Sequence, residues 1–375
     1  MVDIVPVEGA RDLDSFVDLP FRIYAEDPNW VPNIRRDIRR QLDPRVNPFF
    51  EHAEAQSYLA QQDGRVVGRI TVIANELHNQ THGDKAAFFG YFESIDEPRV
   101  AEALVEVAAA WARERGFDTL RGPMSPSVNH ECGLLVEGFD TPPAVMMPHN
   151  LPYYEALLEK AGMVAVKNLL AYQGGHPTRY KPVPDRLARA TELMRRRLGL
   201  TLRPLDMSRF DEELQTVRRL FNAAWSSNWG FVPFTDHEIA HIAAEFKPVI
   251  IPELVPIAEK DGEPIGFGVA LPDLNEPLMR NRAGRFLPGM IRIFWSLKAK
   301  RIRRARILLL GIDPEFQGRG IDAILYHWIW TKAAENKIYW GEAGWILEDN
   351  AAMNNALEKM TFSPYKRFRI YERRI

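Results

Sequence analysis

The chain has 375 residues, enough for two domains of ordinary size, and its 46% hydrophobic and 26% charged residues are typical of a folded protein rather than a disordered one. A net charge of −2 argues against bulk nucleic-acid binding, which needs a strongly basic surface. The single cysteine, Cys132, excludes an internal disulfide and a thiolate metal cage, so we expect no metal ion and a cytoplasmic location. No stretch approaches the ~20 apolar residues of a membrane span, and the first residues do not resemble a leader.

The first predicted elements form a β-hairpin. It spans residues 57–74 and turns at Asp63-Gly64. The same turn recurs as Asp261-Gly262, 198 residues later, and a short helix end at Glu159-Lys160 recurs as Glu358-Lys359 at an offset of 199. Markers that repeat at nearly constant spacing indicate an internal duplication.

Between these markers, each half carries an apolar strand that leads at once into an amphipathic helix. The strand and helix span residues 86–111 in the first half and 307–329 in the second, with apolar residues at i, i+3/i+4 and i+7 in both helices. The duplication predicts an α/β protein with two tandem domains, 1–175 and 200–375. A glycine- and proline-rich linker and a connecting helix are predicted over 176–199.

One segment of the second half has the composition of an anion-binding turn. Gln317-Gly318-Arg319-Gly320-Ile321-Asp322 lies between the predicted strand and the following helix. Gly318 and Gly320 can adopt left-handed backbone conformations, and the free N–H groups of a helix N-terminus favour a phosphate. An ordinary strand-to-helix turn is the alternative explanation for a glycine pair alone.

This segment resembles the acyl-CoA loop of the GNAT family, the Gcn5-related N-acetyltransferases, in which a Gln/Arg-x-x-Gly-x-Gly/Ala turn follows the fourth strand. The approach to it, Ile312-Asp313-Pro314-Glu315, resembles the family's Val-x-Pro-Glu. A second family element, Asn-x-x-Ala-x-x-x-Tyr-x-x-x-Gly-Phe, is matched in spacing by Asn350, Met353, Leu357, Thr361 and Phe362.

The resemblance implies two GNAT-like domains, each a twisted mixed β-sheet flanked by helices. It also implies acetyl-CoA or a longer acyl-CoA as the donor substrate. The residues that it places at the donor are Leu310, Ile312, Gln317, Gly318, Arg319, Gly320, Ile321, Asp322 and Asn350.

Three departures from the family pattern bear on activity. Asp322 stands where the family prefers Gly or Ala beside the pyrophosphate, and Leu357 stands where many relatives carry a tyrosine that protonates the leaving thiolate. In the first half the equivalent turn, residues 93–99, has carboxylates and no glycine. We therefore expect the first, degenerate domain not to bind CoA there and to shape the acceptor pocket instead.

Acyl transfer to an amine needs a base for the ammonium proton and an acid for the thiolate. Glu342 and Glu348 lie on or just after the predicted strand 339–347, close to the glycine turn, and we predict Glu342 as the base, directly or through water. A carboxylate held in a salt bridge is the alternative for Glu342. Tyr365 and Tyr326 are candidate acids, and each is also explained as an ordinary core or surface tyrosine.

A long polar loop in the first half, residues 122–133, is the candidate acceptor site. We predict Asn129, His130 and Glu131 as substrate-facing residues, with hydrogen bonding inside the loop as the alternative. Cys132 is explained as a buried free thiol.

The second half carries a basic stretch, Arg280–Arg306, with ten Lys and Arg residues and no acidic residue. Apolar residues from Phe286 to Leu297 form one stripe if this stretch is helical. Basic residues beside a Phe/Trp/Leu face are typical of an interfacial helix, so peripheral contact with an anionic membrane is one interpretation. A helix packed on the other domain is the alternative, and RNA binding is a weaker third.

The leading prediction is an acyl-CoA-dependent N-acyltransferase that acts on a small-molecule or lipid amine. Bacterial ceramide synthases belong to the same superfamily, so a sphingoid-type base is one candidate acceptor. Resemblance to the Fem-type aminoacyltransferases offers aminoacyl-tRNA as a different donor. A non-catalytic tandem-GNAT scaffold is the third possibility, and Asp322 and Leu357 are the features that favour it.

Overall fold

The structure is a computed structural model that describes residues 2–375. Over these residues the chain forms fifteen strands: β1 (Asp3–Pro6), β2 (Ala53–Gln62), β3 (Arg65–Asn75), β4 (Ala86–Ser94), β5 (Thr119–Gly122), β6 (Met124–Ser125), β7 (Glu131–Cys132), β8 (Leu134–Glu137), β9 (Val164–Gly175), β10 (Leu200–Pro204), β11 (Pro256–Lys260), β12 (Glu263–Pro272), β13 (Arg304–Ile312), β14 (Trp340–Leu347) and β15 (Ser363–Arg374).

Twelve α-helices complete the described part of the chain: α1 (Ala10–Ile23), α2 (Arg35–Gln41), α3 (Glu76–His82), α4 (Pro98–Glu114), α5 (Tyr154–Lys160), α6 (Asp185–Leu198), α7 (Phe210–Trp225), α8 (Asp236–Phe246), α9 (Asn275–Leu278), α10 (Phe286–Lys298), α11 (Ile321–Glu335) and α12 (Ala351–Lys359). Over residues 2–375, no helix combines the length and the apolar character that crossing a membrane requires.

The chain divides into two compact units whose boundaries differ from the predicted ones. Unit 1 contains the described residues up to Leu169 together with Leu278–Met290 and Lys366–Ile375, and unit 2 contains Leu170–Pro277 and Ile291–Tyr365. β9 and β15 therefore contribute residues to both units. An apolar pattern shows that a strand exists but not which strand it pairs with, so the sequence alone assigned all of β15 to the second domain.

Unit 1 is built on a mixed sheet with the order β1-β2-β3-β4-β5-β15-β9. The predicted hairpin is formed by β2 and β3, and β4 and β5 are parallel. Residues 371–374 of β15 pair with β5. α4 covers the sheet because Val100, Leu104 and Ala108 recur every four residues and are fully buried.

Unit 2 repeats this order with β10-β11-β12-β13-β14, and its β13 and β14 are again the parallel pair. In α11 the buried residues Ile321, Leu325 and Ile329 recur every four residues, as Val100, Leu104 and Ala108 do in α4. The predicted duplication and the two GNAT-like α/β folds are thus confirmed.

The predicted connecting helix is present as α6. It belongs to unit 2, where the side chains of Thr191 and His327 pair α6 with α11 through a 2.7 Å hydrogen bond. The joint between the halves is thus part of the second unit's packing.

The middle of the basic stretch forms the helix α10, and the two ends of the stretch have structural roles. Arg282 donates hydrogen bonds to the carbonyls of Trp30, Ala25 and Asp27. At the other end, Arg304 and Arg306 lie in β13.

Arg304 contacts Asp273, and the buried Arg306 contacts Glu342. The last residues of the predicted stretch, Arg280–Arg306, thus belong to β13, and membrane contact of the stretch stays a prediction.

Candidate functional site

The two parallel strands of unit 2 separate partway along their length. β13 and β14 pair over Arg304–Ile307 and Trp340–Ala343. On the other edge of β13, the register of β12 shifts between Val269 and Ala270, which leaves Leu308 as the extra residue of a β-bulge. Beyond these residues the strands move apart and a cavity opens.

This cavity has a volume of about 490 Å³. Its walls come from β13, β14, the C-terminal end of α7, the glycine turn and the first turn of α12. The lining residues are Ala224, Trp225, Ser227, Asn228, Ile307, Leu308, Leu309, Leu310, Ile312, Gln317, Gly318, Gly320, Asp322, Tyr326, Ala343, Gly344, Trp345, Ile346, Leu347, Asn350, Ala352 and Met353.

Most lining residues have apolar side chains, although polar groups contribute about as much of the exposed lining surface as apolar ones. Fourteen of the 22 lining residues have apolar or aromatic side chains, and Asp322 is the only charged residue of the 22. Trp225 and Trp345 line the cavity together, with their rings edge to face and their centroids 6.2 Å apart. The wall around these rings favours a hydrocarbon chain. It disfavours a charged group, because it offers no interaction that compensates for the lost hydration of the charge.

The glycine turn between β13 and α11 has the predicted backbone. Gly318 and Gly320 have φ angles of 71° and 80°, in the left-handed region. The side-chain N–H of Gln317 donates to the carbonyl of Ile312 at 3.0 Å and closes the turn. Gly320 is the N-cap of α11 and brings no capping side chain, so the first N–H groups of the helix remain available to an anion.

The surroundings of the turn determine where a phosphate fits. A Cβ at Gly318 would meet no atom within 4 Å, so the turn is open at this residue. A Cβ at Gly320 would collide with the side chain of Met194 from α6. Asp322, in the first turn of α11, lines the cavity beside the turn. The turn therefore fits a phosphate at Gly318, and Asp322 opposes it by charge.

Leu310 and Ile312, which the sequence assigned to the donor, line the cavity. Their carbonyls already accept hydrogen bonds from this chain, that of Leu310 from the indole N–H of Trp225 at 3.1 Å and that of Ile312 from Gln317. A ligand meeting β13 would therefore use N–H groups or the second lone pair of these carbonyls.

The other predicted donor residues divide into lining and core positions. Asn350 lines the cavity and also caps α12, because its side-chain oxygen accepts from the N–H of Met353 at 3.2 Å. Ile321 is buried in the core and Arg319 donates to the carbonyl of Glu315, so neither is a lining residue. Their contribution is limited to the backbone of the turn.

Glu342, the predicted base, is fully buried in β14 and does not line this cavity. The hydroxyl of Tyr365 donates to one carboxylate oxygen, and the Nε of Arg306 lies 3.4 Å from the other. Arg306 in turn donates to the carbonyl of Gly344, a lining residue, at 2.8 Å. The carboxylate thus fixes the wall of the cavity through Arg306.

The two tyrosines proposed as acids differ in position. Tyr326 lines the cavity and donates to the sulfur of Met353 at 3.4 Å, whereas Tyr365 packs edge-on against Trp340. Burial, and then the carboxylate of Asp322, raises the pKa of Tyr326 well above its ordinary value. Burial followed by Glu342 does the same for the pKa of Tyr365. Both hydroxyls therefore keep their protons at neutral pH, and the one at the cavity is that of Tyr326.

The remaining predicted residues lie outside the cavity. Glu348 is an exposed residue just after β14. Asn129, His130 and Glu131 belong to the loop around β6 and β7 in unit 1, where the Nδ1 of His130 lies 3.0 Å from the hydroxyl oxygen of Ser127. Hydrogen bonding inside the loop, the alternative, is present, and a role at the acceptor stays a prediction.

The aromatic part of the wall was not predicted from the sequence. Trp225, Asn228 and Trp345 come from two segments far apart in the chain and match no motif. The available signal was Trp225-Ser226-Ser227-Asn228, a tryptophan followed by small polar residues at a helix end.

Comparison with known proteins agrees with this geometry. No family model matches the chain. The chain is 37% identical over 370 residues to Protein YghO of Escherichia coli (strain K12), covering 97% of this chain and 93% of that protein. It is also 37% identical over 384 residues to the bacterial ceramide synthase of Caulobacter vibrioides, covering 99% of this chain and 97% of that protein.

Among solved structures, a tandem GNAT protein from the clavulanic acid biosynthesis pathway superposes with a TM-score of 0.60 at 16% identity, over 100% of this chain and 98% of that one. A GCN5-related N-acetyltransferase from Sphaerobacter thermophilus gives a TM-score of 0.52 at 12% identity, over 100% and 95%. The chain therefore has the fold of the tandem GNAT proteins and belongs to the family that contains Protein YghO and the bacterial ceramide synthase of Caulobacter vibrioides.

Proposed function

We propose that this protein transfers a long-chain acyl group from an acyl-CoA to the amine of a lipid-like acceptor. Membership of a family with a named ceramide synthase supports acyl transfer to nitrogen in general. The apolar cavity that begins at the glycine turn supports the specific donor. This cavity is the observation on which the proposal rests.

The volume and polarity of the cavity favour a long acyl chain. A cavity of about 490 Å³ has to hold the arm of the CoA as well as the acyl group, and its walls at Ile307, Leu309, Trp225 and Trp345 are apolar enough for a hydrocarbon chain. Each buried CH₂ contributes ~0.8 kcal/mol, so a long chain gains affinity that acetyl cannot. We expect affinity to rise with acyl length until the cavity is full.

The chemistry forms one C–N bond and breaks one C–S bond. The ammonium of the acceptor gives a proton to water, the free amine attacks the thioester carbonyl, and the thiolate leaves and takes up a proton. Tyr326, the tyrosine of the lining, has a raised pKa and is a weak acid, so water protonates the thiolate where Leu357 replaces the family's tyrosine. The N–H groups of the glycine turn bind the donor phosphate.

The acceptor is proposed from the family and the lining together. The 37% identical relative from Caulobacter is named a ceramide synthase, which supports a sphingoid-type amine here. The lining contains no Lys, Arg or His, so it has no cationic side chain for an anionic or nucleic-acid acceptor. An aminoacyl-tRNA donor leaves the apolar wall without a role.

The donor is tested at Gly318, where a Cβ has room and the φ of 71° suits Asp and Asn better than other side chains. We expect Gly318→Asp to weaken palmitoyl-CoA binding at least tenfold by charge, and Gly318→Asn, of matched shape, to weaken it far less. Calorimetric titration with acetyl-, octanoyl- and palmitoyl-CoA measures this. Gly320 is unsuitable because Met194 would make any substitution a folding defect as well.

The reaction is tested by mass spectrometry of products from palmitoyl-CoA with sphinganine, a simple long-chain amine, or a lysine peptide. We expect amides of the first two only. Binding of acyl-CoA without any amide product would favour a non-catalytic scaffold. A ligand at 100 times its dissociation constant adds ~2.7 kcal/mol to the free energy of unfolding. If no acyl-CoA stabilises the protein against unfolding, acyl-CoA is not the donor.

A further inference from the structure

α10 exposes the hydrophobic face that a folded helix normally buries. Leu287, Ile291, Phe294 and Trp295 are 69%, 56%, 58% and 59% exposed. They recur at i, i+4, i+7 and i+8, so they form one stripe along the helix. They are half of the large hydrophobic side chains that are exposed within residues 2–375.

The opposite side of α10 holds the helix in place. Gly289 and Ile293 are buried, and a Cβ at Gly289 would crowd Asn281 and Ile34. The start of the helix is fastened within unit 1, where the backbone N–H of Arg35 donates to the carbonyl of Gly284 at 3.1 Å. The exposed stripe is therefore a fixed surface and not a loosely attached segment.

Positive charge surrounds the stripe. Six exposed basic residues lie in or beside α10, and within residues 2–375 none of them forms an ion pair: Arg280, Arg285, Arg292, Lys298, Lys300 and Arg301. No acidic residue occurs between Glu276 and Asp313.

The neighbouring helix α2 adds to this charge. Arg36 stacks over the ring of Phe286 with its guanidinium carbon 3.2 Å from the centroid, and Arg36 and Arg40 are both exposed. A second element thus brings arginines to the same end of the stripe.

We propose that α10 docks this protein on an anionic lipid bilayer, with the stripe among the acyl chains and the basic residues at the headgroups. Trp and Phe at the boundary and Lys and Arg around them are what an interfacial helix needs. Each basic residue near an anionic surface adds attraction, and several together make the binding strong and salt-sensitive. The proposal stands without the proposed acyl transfer, because it concerns a different surface.

The test is co-sedimentation with vesicles of equal parts phosphatidylglycerol and phosphatidylcholine, and with vesicles of phosphatidylcholine alone. The wild type is expected to bind the anionic vesicles at least tenfold more tightly and to lose most of that binding in high salt. Phe294→Ser with Trp295→Ser is expected to lose binding to both, and Leu193→Ser, at a 71% exposed leucine of α6, is the matched control.

A charge variant separates the two contributions. Arg285→Glu, Arg292→Glu and Arg301→Glu together should abolish the preference for anionic vesicles. The same change in net charge on α6, made at the exposed Arg186, Arg189 and Arg197, should leave that preference intact. Equal loss in both triple variants would overturn the proposal by showing a general charge effect.

Insertion is read directly from a fluorophore. Cys132 is buried, so Ile291→Cys offers the accessible thiol for an environment-sensitive dye, with Leu193→Cys as control. A blue shift on anionic vesicles at position 291 alone is expected. No shift at 291, or light scattering that shows a dimer dissolved by the Phe294 and Trp295 changes, would overturn the proposal and assign the stripe to a second copy.

Discussion

The two units use the same strand separation in opposite ways. In unit 1, β4 and β5 pair over residues 86–88 and 119–121 and then part, as β13 and β14 do in unit 2. There the chain itself fills the space: a Cβ at Gly90 would collide with the carbonyl of Met124 in β6, and the N–H of Tyr91 donates to the hydroxyl of Ser125 at 2.8 Å. In unit 2 the corresponding space is the cavity.

The turn between the strand and the following helix is short in unit 1 and long in unit 2. Three residues separate β4 from α4, and eight separate β13 from α11. The paired position on the strand differs too: Glu93 faces Arg69 in unit 1, and Gly311 faces Phe267 in unit 2. Glu93 is mostly buried, and the loss of hydration raises the pKa of its carboxyl. It accepts 2.6 Å hydrogen bonds from Tyr24 and Tyr154.

The two copies of the fold diverge outside their shared core. The sheet order and the buried positions of the central helix are retained because they form the core. The turn and the loop after the second parallel strand lie outside the sheet and the central helix that the two units share, so they change more readily. In unit 1 the chain fills the space between the two parallel strands, whereas in unit 2 a longer turn borders a cavity.

The largest expected effect concerns the filled opening of unit 1. Gly90→Ala places a Cβ against the backbone of Met124, which cannot move as a side chain would, so we expect the free energy of unfolding to fall by about 3 kcal/mol. Gly266→Ala in unit 2 is the matched control, since its Cβ would meet atoms no closer than 3.4 Å. Chemical denaturation followed by circular dichroism measures both. Equal losses would mean that the opening in unit 1 is not tightly filled.

The buried carboxylates give the next comparison. Glu342→Gln keeps the shape but removes the charge that pairs with Arg306, and we expect unfolding free energy to fall by ~2 kcal/mol. We also expect the pH profile of turnover to keep its form, because Glu342 positions the wall at Gly344 and does not touch the cavity.

Glu93→Gln in unit 1 is the control for losing a mostly buried carboxylate that does not line the cavity. An acidic limb of the pH profile that disappears in Glu342→Gln but not in Glu93→Gln would restore Glu342 as the base, as the sequence first indicated.

Features that repeat along the chain or obey a local rule could be predicted from the sequence. The duplication, the glycine turn and the N-cap at Asn350 depend on spacing over a few residues or on a constant offset, and each is present. The pairing of Trp225 with Trp345 could not be predicted, because 120 residues separate them and only the packing of α7 on β13 brings them together. The filling of the space between β4 and β5 could not be predicted for the same reason, because no sequence pattern links Gly90 with Met124.

The smallest expected effect concerns the charge beside the glycine turn. Asp322 lines the cavity at the start of α11. Its negative charge interacts favourably with the helix dipole but repels a phosphate. Asp322→Asn should tighten acyl-CoA binding by about fivefold, roughly 1 kcal/mol, and lower helix stability by a few tenths of that. Glu315→Gln, an exposed carboxylate of the same turn outside the lining, should change affinity little. Titration at low and high salt measures the difference, which should shrink with screening. If Asp322→Asn instead weakens binding, the carboxylate contacts the donor or the acceptor amine, and the one charged lining residue becomes the candidate base.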